Sequence, residues 1–256
     1  MDKFIKLDEG YKFGIGLFET IHVKNRKAIF LDKHLERLNS SLEFFSINKK
    51  ISKEEVLNYL NENIFNRNIE SETKKNEVIN MINFVLKIMV SSENTVFELR
   101  NYTYNQKDYD KGFVLGISKI LRSNTSPFVY HKTLNYGECI YEKRKALEDN
   151  KNDFIFLNSD NEICECTSSN IFFVKDNKIF TPKIECGLLN GTVRDFVIEN
   201  FEVSQVIIAV EQLENFDECF LTNSLMGVMP VKSVGKIIFK KHNTANIVRD
   251  KYKASL

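Results

Sequence analysis

Apolar residues recur along this chain with two different periods, and the switches between them outline its elements. Residues 16–23 and 27–30 alternate around Lys24-Asn25-Arg26, which predicts a β-hairpin. Leu35, Leu38, Leu42 and Phe45 follow at helical spacing, with Asp32 placed to cap the helix they line. Ser52-x-x-Glu55 is a capping-box pattern ahead of Val56, Tyr59, Leu60 and Ile64, and it predicts a second amphipathic helix over about 53–66. The charged run 68–77 reads as a solvated loop. Residues 78–90, 95–104 and 113–118 read as strands, the first of them rich in Ile and Val.

The polar stretch 123–127, with one proline, reads as a connection between halves. Beyond it, strands are expected near 153–158, 169–174, 178–181, 203–208 and 217–222, and helices near 135–149, 192–202 and 241–254. The pattern predicts a mixed α/β (α+β) protein: a small α+β half over 1–118, a connecting segment over 119–127 and a larger C-terminal half over 128–256. There is no internal repeat.

A chain of 256 residues with 43% hydrophobic residues can bury the core of one large domain or two compact ones. Lys and Arg total 36 against 35 acids, so charge gives no support for a nucleic-acid partner. Met1-Asp2-Lys3-Phe4 lacks the apolar stretch of a signal peptide, and no run approaches the roughly 18 apolar residues of a membrane span, so a cytoplasmic protein without membrane insertion is expected. The five cysteines, at 139, 164, 166, 186 and 219, are odd in number and suit reduced thiols better than a disulfide framework. Cys164-x-Cys166 has no second Cys/His cluster beside it, and the four histidines are dispersed, so no metal is implied.

Candidate chemistry gathers in five segments: His34-Leu35-Glu36-Arg37-Leu38; His131-Lys132-Thr133-Leu134-Asn135-Tyr136; Glu165 through Val174; Gly187–Arg194; and Leu221–Val231. Taken singly, each has an ordinary reading. Lys132 is a surface lysine, Glu165 a water-facing edge acid on the strand that carries Ile171 to Val174, Arg37 a solvent-facing arginine on an amphipathic helix. In this order, however, the segments resemble the fold-type IV pyridoxal-phosphate enzymes, the class IV aminotransferase family, from about Gly14 to Val231. That family includes branched-chain and D-amino-acid aminotransferases and 4-amino-4-deoxychorismate lyase, and the string Asn223 to Val231 is most similar to the lyase branch.

The resemblance implies a two-domain enzyme that binds pyridoxal 5'-phosphate and acts on a small-molecule amine as a homodimer. Lys132 then forms the Schiff base and carries the proton, a role that needs a lysine able to be neutral near pH 7. Glu165 pairs with the pyridine nitrogen, with Ser168, Ser169 and Asn170 as polar neighbours. The phosphate falls to Arg37, to the amides of Thr192 and Val193 at a helix N-terminus, and to Ser224 with Asn223. Phe18 stands where D-amino-acid aminotransferases carry tyrosine. Arg100, Tyr102, Tyr104 and Arg122 are candidates for the substrate's carboxylates. Two departures bear on the substrate: Val193 replaces a common threonine, and Ser91-Ser92-Glu93-Asn94 stands where bacterial lyases carry an Arg-Gly segment. The implied activity is 4-amino-4-deoxychorismate lyase; the alternatives are a branched-chain or D-amino-acid-type aminotransferase and a noncatalytic pyridoxal-phosphate-binding protein, the last having no need of both Lys132 and Glu165.

Overall fold

Alternation along β1 (Gly16–Lys24) divides its residues between two faces and sets the architecture of the first half. The computed structural model describes residues 4–65 and 83–256. The chain separates into two units: Met1–Thr103 with Lys132–Asn135, and Tyr104–His131 with Tyr136–Leu256. The division thus falls at 103 and around 132–135, and residues 104–118 and the expected connection 119–127 belong with the second unit.

In the first unit β1 lies between β2 (Lys27–Ala28) and β3 (Asn83–Ser91), and β4 (Thr95–Asn101) forms the far edge of an antiparallel sheet. Leu17, Ile21 and Val23 of β1 and Leu86, Ile88 and Val90 of β3 share a core with Leu31, Leu35, Leu38 and Leu42 of one helix and Val56 and Leu60 of another. A short helix, α1 (Glu9–Phe13), precedes β1; α2 (Leu31–Phe44) and α3 (Lys53–Leu60) supply the core stripe.

The expected helices form, with different ends. Phe30, at φ 51°, is the N-cap of α2 and makes no side-chain cap bond, so Asp32 is not the cap; it sits in the first turn and pairs with Lys53 at 2.9 Å. Ser52 does cap α3, accepting from Glu55 N at 3.1 Å, and the chain continues as a π-turn over Asn61–Phe65. The loop expected over 68–77 and the strand start expected at 78 lie outside the described residues.

The second unit is built on one sheet of order β10-β9-β8-β11-β12-β5-β6-β7, with β13 (Ile237–Ile238) on β12. Its strands are β5 (Phe113–Leu121), β6 (Asp153–Leu157), β7 (Ile163–Cys166), β8 (Asn170–Lys175), β9 (Lys178–Pro182), β10 (Val203–Val206), β11 (Glu218–Asn223) and β12 (Gly227–Val234). β12, β5 and β6 run parallel, as do β9 and β10; the other pairs are antiparallel. Its helices are α4 (Gln106–Lys111), α5 (Gly137–Glu148), α6 (Thr192–Asn200) and α7 (Asn243–Ala254). Helix α4 ends the expected strand 95–104 early: Asn105 and Asp108 cap it reciprocally, a local hydrogen-bond pattern that outcompetes extension of β4.

All five cysteines are free and buried. Among the described residues no cluster of three or more His, Cys, Asp or Glu could hold a metal, and no helix is long and apolar enough to cross a membrane.

Candidate active site

Lys132 is held by its backbone. Phe18 N donates to Lys132 O at 2.8 Å and Leu134 N to Gly16 O at 2.7 Å, so residues 132–134 extend along β1 as a short added strand. Glycine makes the approach possible: a Cβ on Gly16 would stand 2.7 Å from Leu134 Cδ1 and 2.8 Å from Val90 O. So anchored, half-buried Lys132 places Nζ 4.3 Å from the centre of the Phe18 ring.

Behind this strand lies a charged triplet. Arg37 Nε and Nη2 donate to Glu19 Oε1 and Oε2 at 2.8 and 2.7 Å, and His34 Nδ1 lies 2.7 Å from Oε2. Glu19 is 1% exposed. Burial by itself raises a carboxyl pKa, but the charges of Arg37 and His34 outweigh it and hold Glu19 well below the usual range. Burial likewise lowers the His34 pKa, with Glu19 pulling the other way. Arg37 is therefore no solvent-facing helix residue: its side chain is 18% exposed and its fork grips a buried acid.

In the second unit, Glu165 sits on β7, a strand of its own, and not on the strand of Ile171 to Val174. It is buried, unlike an edge acid facing water. Oε1 accepts from Arg122 Nη2 at 2.7 Å; Oε2 accepts from Asn170 Nδ2 and Leu189 N, each at 3.3 Å. Arg122 lies over the Phe156 ring at 4.6 Å, and although burial lowers its pKa, Glu165 more than reverses that and raises it. The two charges thus offset one another's desolvation. Arg122, a candidate for substrate carboxylate from sequence, is occupied as the partner of Glu165.

Asn170 also donates to Leu189 O at 2.7 Å, joining Glu165 to the segment that leads into α6. That helix begins at Thr192 with Gly191 as N-cap, which brings no side-chain acceptor to the first turn, and Thr192 and Val193 are buried there. Arg194 anchors it, donating to Asn190 Oδ1, Pro182 O and Gln205 Oε1. Asn223 donates to exposed Ser168 O at 3.1 Å and accepts from Leu225 N and Met226 N, shaping the β11–β12 turn that carries half-buried Ser224. Gly227, at φ 64°, ends that turn, where a Cβ would stand 2.5 Å from the Tyr252 ring. Tyr136, given no role from sequence, is half-buried, donates to Thr167 O at 2.8 Å and has its pKa pushed well up, chiefly by desolvation of its hydroxyl. Its signal was its place in the Lys132 motif.

Arg100 is exposed on edge strand β4, in register with Val85. The turn that replaces the Arg-Gly segment is tied to the N-terminal segment instead: Asp8 accepts from Glu93 N at 2.9 Å, Asn94 Nδ2 at 3.0 Å and Ser92 Oγ at 3.3 Å.

A family model described as amino-transferase class IV matches residues 16–234, and the chain belongs to that family. It is 29% identical to an aminodeoxychorismate lyase of Bacillus subtilis over 90% of this chain and 81% of that protein. It is 27% identical to a candidate branched-chain-amino-acid aminotransferase of Rickettsia bellii over 92% of this chain and 85% of that protein. A solved Legionella pneumophila protein, described as a candidate 4-amino-4-deoxychorismate lyase, superposes with a TM-score of 0.84 at 26% identity, over 100% of this chain and 97% of that one. The family consists of enzymes that use pyridoxal 5'-phosphate.

The donor set of this chain fits that group. The kinds of group it needs are present: an amine, Lys132, in the first unit, and in the second a buried acid, Glu165, and a helix N-terminus, that of α6, suited to an anion. Two buried hydroxyls in the second unit, Ser169 Oγ and Thr222 Oγ1, have no hydrogen-bond partner among the described residues; Ser169 adjoins Asn170, and Thr222 pairs with Asn170 across the strands.

Proposed function

We propose that this chain is a pyridoxal-phosphate-dependent lyase that converts 4-amino-4-deoxychorismate to 4-aminobenzoate and pyruvate, supplying folate synthesis. The observation that carries the reading is the β11–β12 segment, whose Asn223 and Gly227 are required by the turn they build and, with Ser224, stand in the lyase-like string. The Bacillus subtilis relative and the Legionella pneumophila structure support it.

Pyridoxal phosphate held there would supply an aldehyde for the substrate's amine and an electron sink for the carbon beside it. Lys132 holds the cofactor and then carries the proton removed from that carbon. Glu165, fixed by Arg122, Asn170 and Leu189, supplies the negative charge for the ring nitrogen. Arg37, the amides of Thr192 and Val193, and Ser224 with Asn223 bind the phosphate, while Ser168 shapes the turn beside them. Departure of the enolpyruvyl group, protonated to pyruvate, leaves an aromatic product, so the protein's share is positioning and proton transfer. Assembly as a homodimer belongs to the same proposal.

The second reading is an aminotransferase, favoured by the Rickettsia bellii relative, which matches over as much of the chain. It uses the same Lys132 and Glu165 and differs in needing a 2-oxo acid. Purified holoprotein given aminodeoxychorismate should release 4-aminobenzoate with a kcat/KM far above that for any amino acid with 2-oxo acid. Turnover of the amino acids with no release of 4-aminobenzoate would overturn the lyase reading.

Glu165→Gln should keep the cofactor covalently attached and slow proton removal by about a hundredfold, the scale of one lost preorganised electrostatic contact. The amide also presents one acceptor where the carboxylate met three donors. Cofactor absorbance and single-turnover rates separate the two effects, and unchanged single-turnover rates would remove Glu165 from the mechanism.

A further inference from the structure

We propose that Lys87 is the specificity residue that receives a carboxylate of the amine substrate, the cation that the Ser91–Asn94 turn does not provide. This rests on the pyridoxal-phosphate reading above. The strand register carries the argument. Phe18, Thr20 and His22 of β1 stand opposite Met89, Lys87 and Val85 of β3, and these opposite Val96, Glu98 and Arg100 of β4. Directly paired residues share a face. The alternate set, Leu17, Ile21, Leu86 and Ile88, packs on the helices, so Lys87 and Phe18 lie together on the opposite face of the sheet.

There, Lys87 Nζ lies 4.8 Å from the centre of the Phe18 ring, and Lys132 Nζ lies 4.3 Å from the same centre. The two ammonium groups are therefore separated by no more than about 9 Å, the two ring distances combined. A compact substrate whose amine meets Lys132 can reach Lys87 with an anionic group a few bonds away. Among the described residues, the arginines considered for this role do not match this. Arg37 is on the helix side, held by Glu19. Arg122 is held by Glu165. Arg100 shares the face but lies two rows from Phe18, about 13 Å along the strand direction at roughly 3.3 Å per residue.

Apart from the Phe18 ring, Lys87 is also a charge without a partner among the described residues. It interrupts the apolar strand Val85-Leu86-Lys87-Ile88-Met89-Val90 and is half-buried. Among the described residues its ammonium makes no ion pair or hydrogen bond, and Glu98, directly across on β4, is exposed and does not pair with it. A partly desolvated ammonium is costly unless an anion answers it, and a carboxylate at this point does so. The competing role is mechanical: the lysine stem covers the Phe18 ring and the charge does nothing.

Lys87→Met keeps the stem and removes the charge; Lys87→Arg keeps the charge. Each holoprotein is titrated with 4-aminobenzoate and with aniline, which lacks the carboxylate, and binding is read from the cofactor absorbance. Lys87→Met should weaken 4-aminobenzoate about tenfold to a hundredfold, the loss of one charge-assisted hydrogen bond, with aniline and cofactor affinity unchanged and Lys87→Arg restoring most of the loss. Unchanged 4-aminobenzoate binding, or equal weakening of both ligands, overturns the proposal. Should wild type neither bind 4-aminobenzoate nor release it, the lyase reading alone fails. The variants are then compared on amino acids and the matching amines without carboxylate: a KM increase confined to the amino acids, with kcat retained, upholds Lys87, and equal KM changes refute it.

Discussion

Lys132→Ala is expected to abolish covalent attachment of pyridoxal phosphate and to lower turnover by several orders of magnitude, since one amine serves as both attachment point and proton carrier. General acid–base catalysis by itself accounts for about 10²- to 10⁴-fold. The fold should survive, because what positions residue 132 is backbone: Phe18 N to its carbonyl and Leu134 N to Gly16 O. The substitution touches neither bond. Stability without cofactor should match wild type, while the gain on adding cofactor shrinks as binding weakens. Borohydride reduction and peptide mapping of wild type should place the label on Lys132. Label on another lysine, Lys87 included, would refute the assignment.

Arg37→Ala should cost both stability and cofactor affinity. The stability loss follows from Glu19: removing one partner from a buried ion pair leaves an uncompensated charge, a change worth about 3 kcal/mol or more. His34 remains 2.7 Å from Glu19 and holds part of the charge when protonated. The sign with pH is set by Glu19. Its folded pKa is depressed, so its contribution is present above the unfolded value and is lost as pH falls through the folded one. Removing Arg37 lets that loss begin at higher pH. Urea unfolding of the cofactor-free protein across pH isolates this effect. Cofactor titration should separately show a tenfold to hundredfold weakening, on the scale of about 1.5–3 kcal/mol for a charge-assisted hydrogen bond. Unfolding that matches wild type would mean that the Glu19 pair is not stabilising; an unchanged titration would remove Arg37 from the phosphate site.

Periodicity was enough to read the helix stripe Leu35, Leu38 and Leu42, the Ser52 cap, the start of α6 at Thr192 and most strands, because each depends on residues a few positions apart. Residue order in the Lys132, Glu165 and Asn223 segments was enough for the family. What remained illegible has a common cause. β7 is four consecutive buried residues without alternation, so Glu165 was assigned to the next apolar run. β12 is nearly all buried and read as part of a motif. The Asn105 capping box was present in the sequence but directly followed an alternating stretch that masked where the strand ends. The partner of a charge is further still from local pattern. Arg37 looks like a surface residue until β1 brings Glu19 against α2, Arg122 looks like a substrate cation until β7 places Glu165 beside it, and Lys87 looks like a break in a strand until register sets it by Phe18. Hydrophobic spacing is a property of neighbours in the chain, whereas the environment of an ionisable group is set by strand register and close packing between segments far apart in it; tertiary structure decided those.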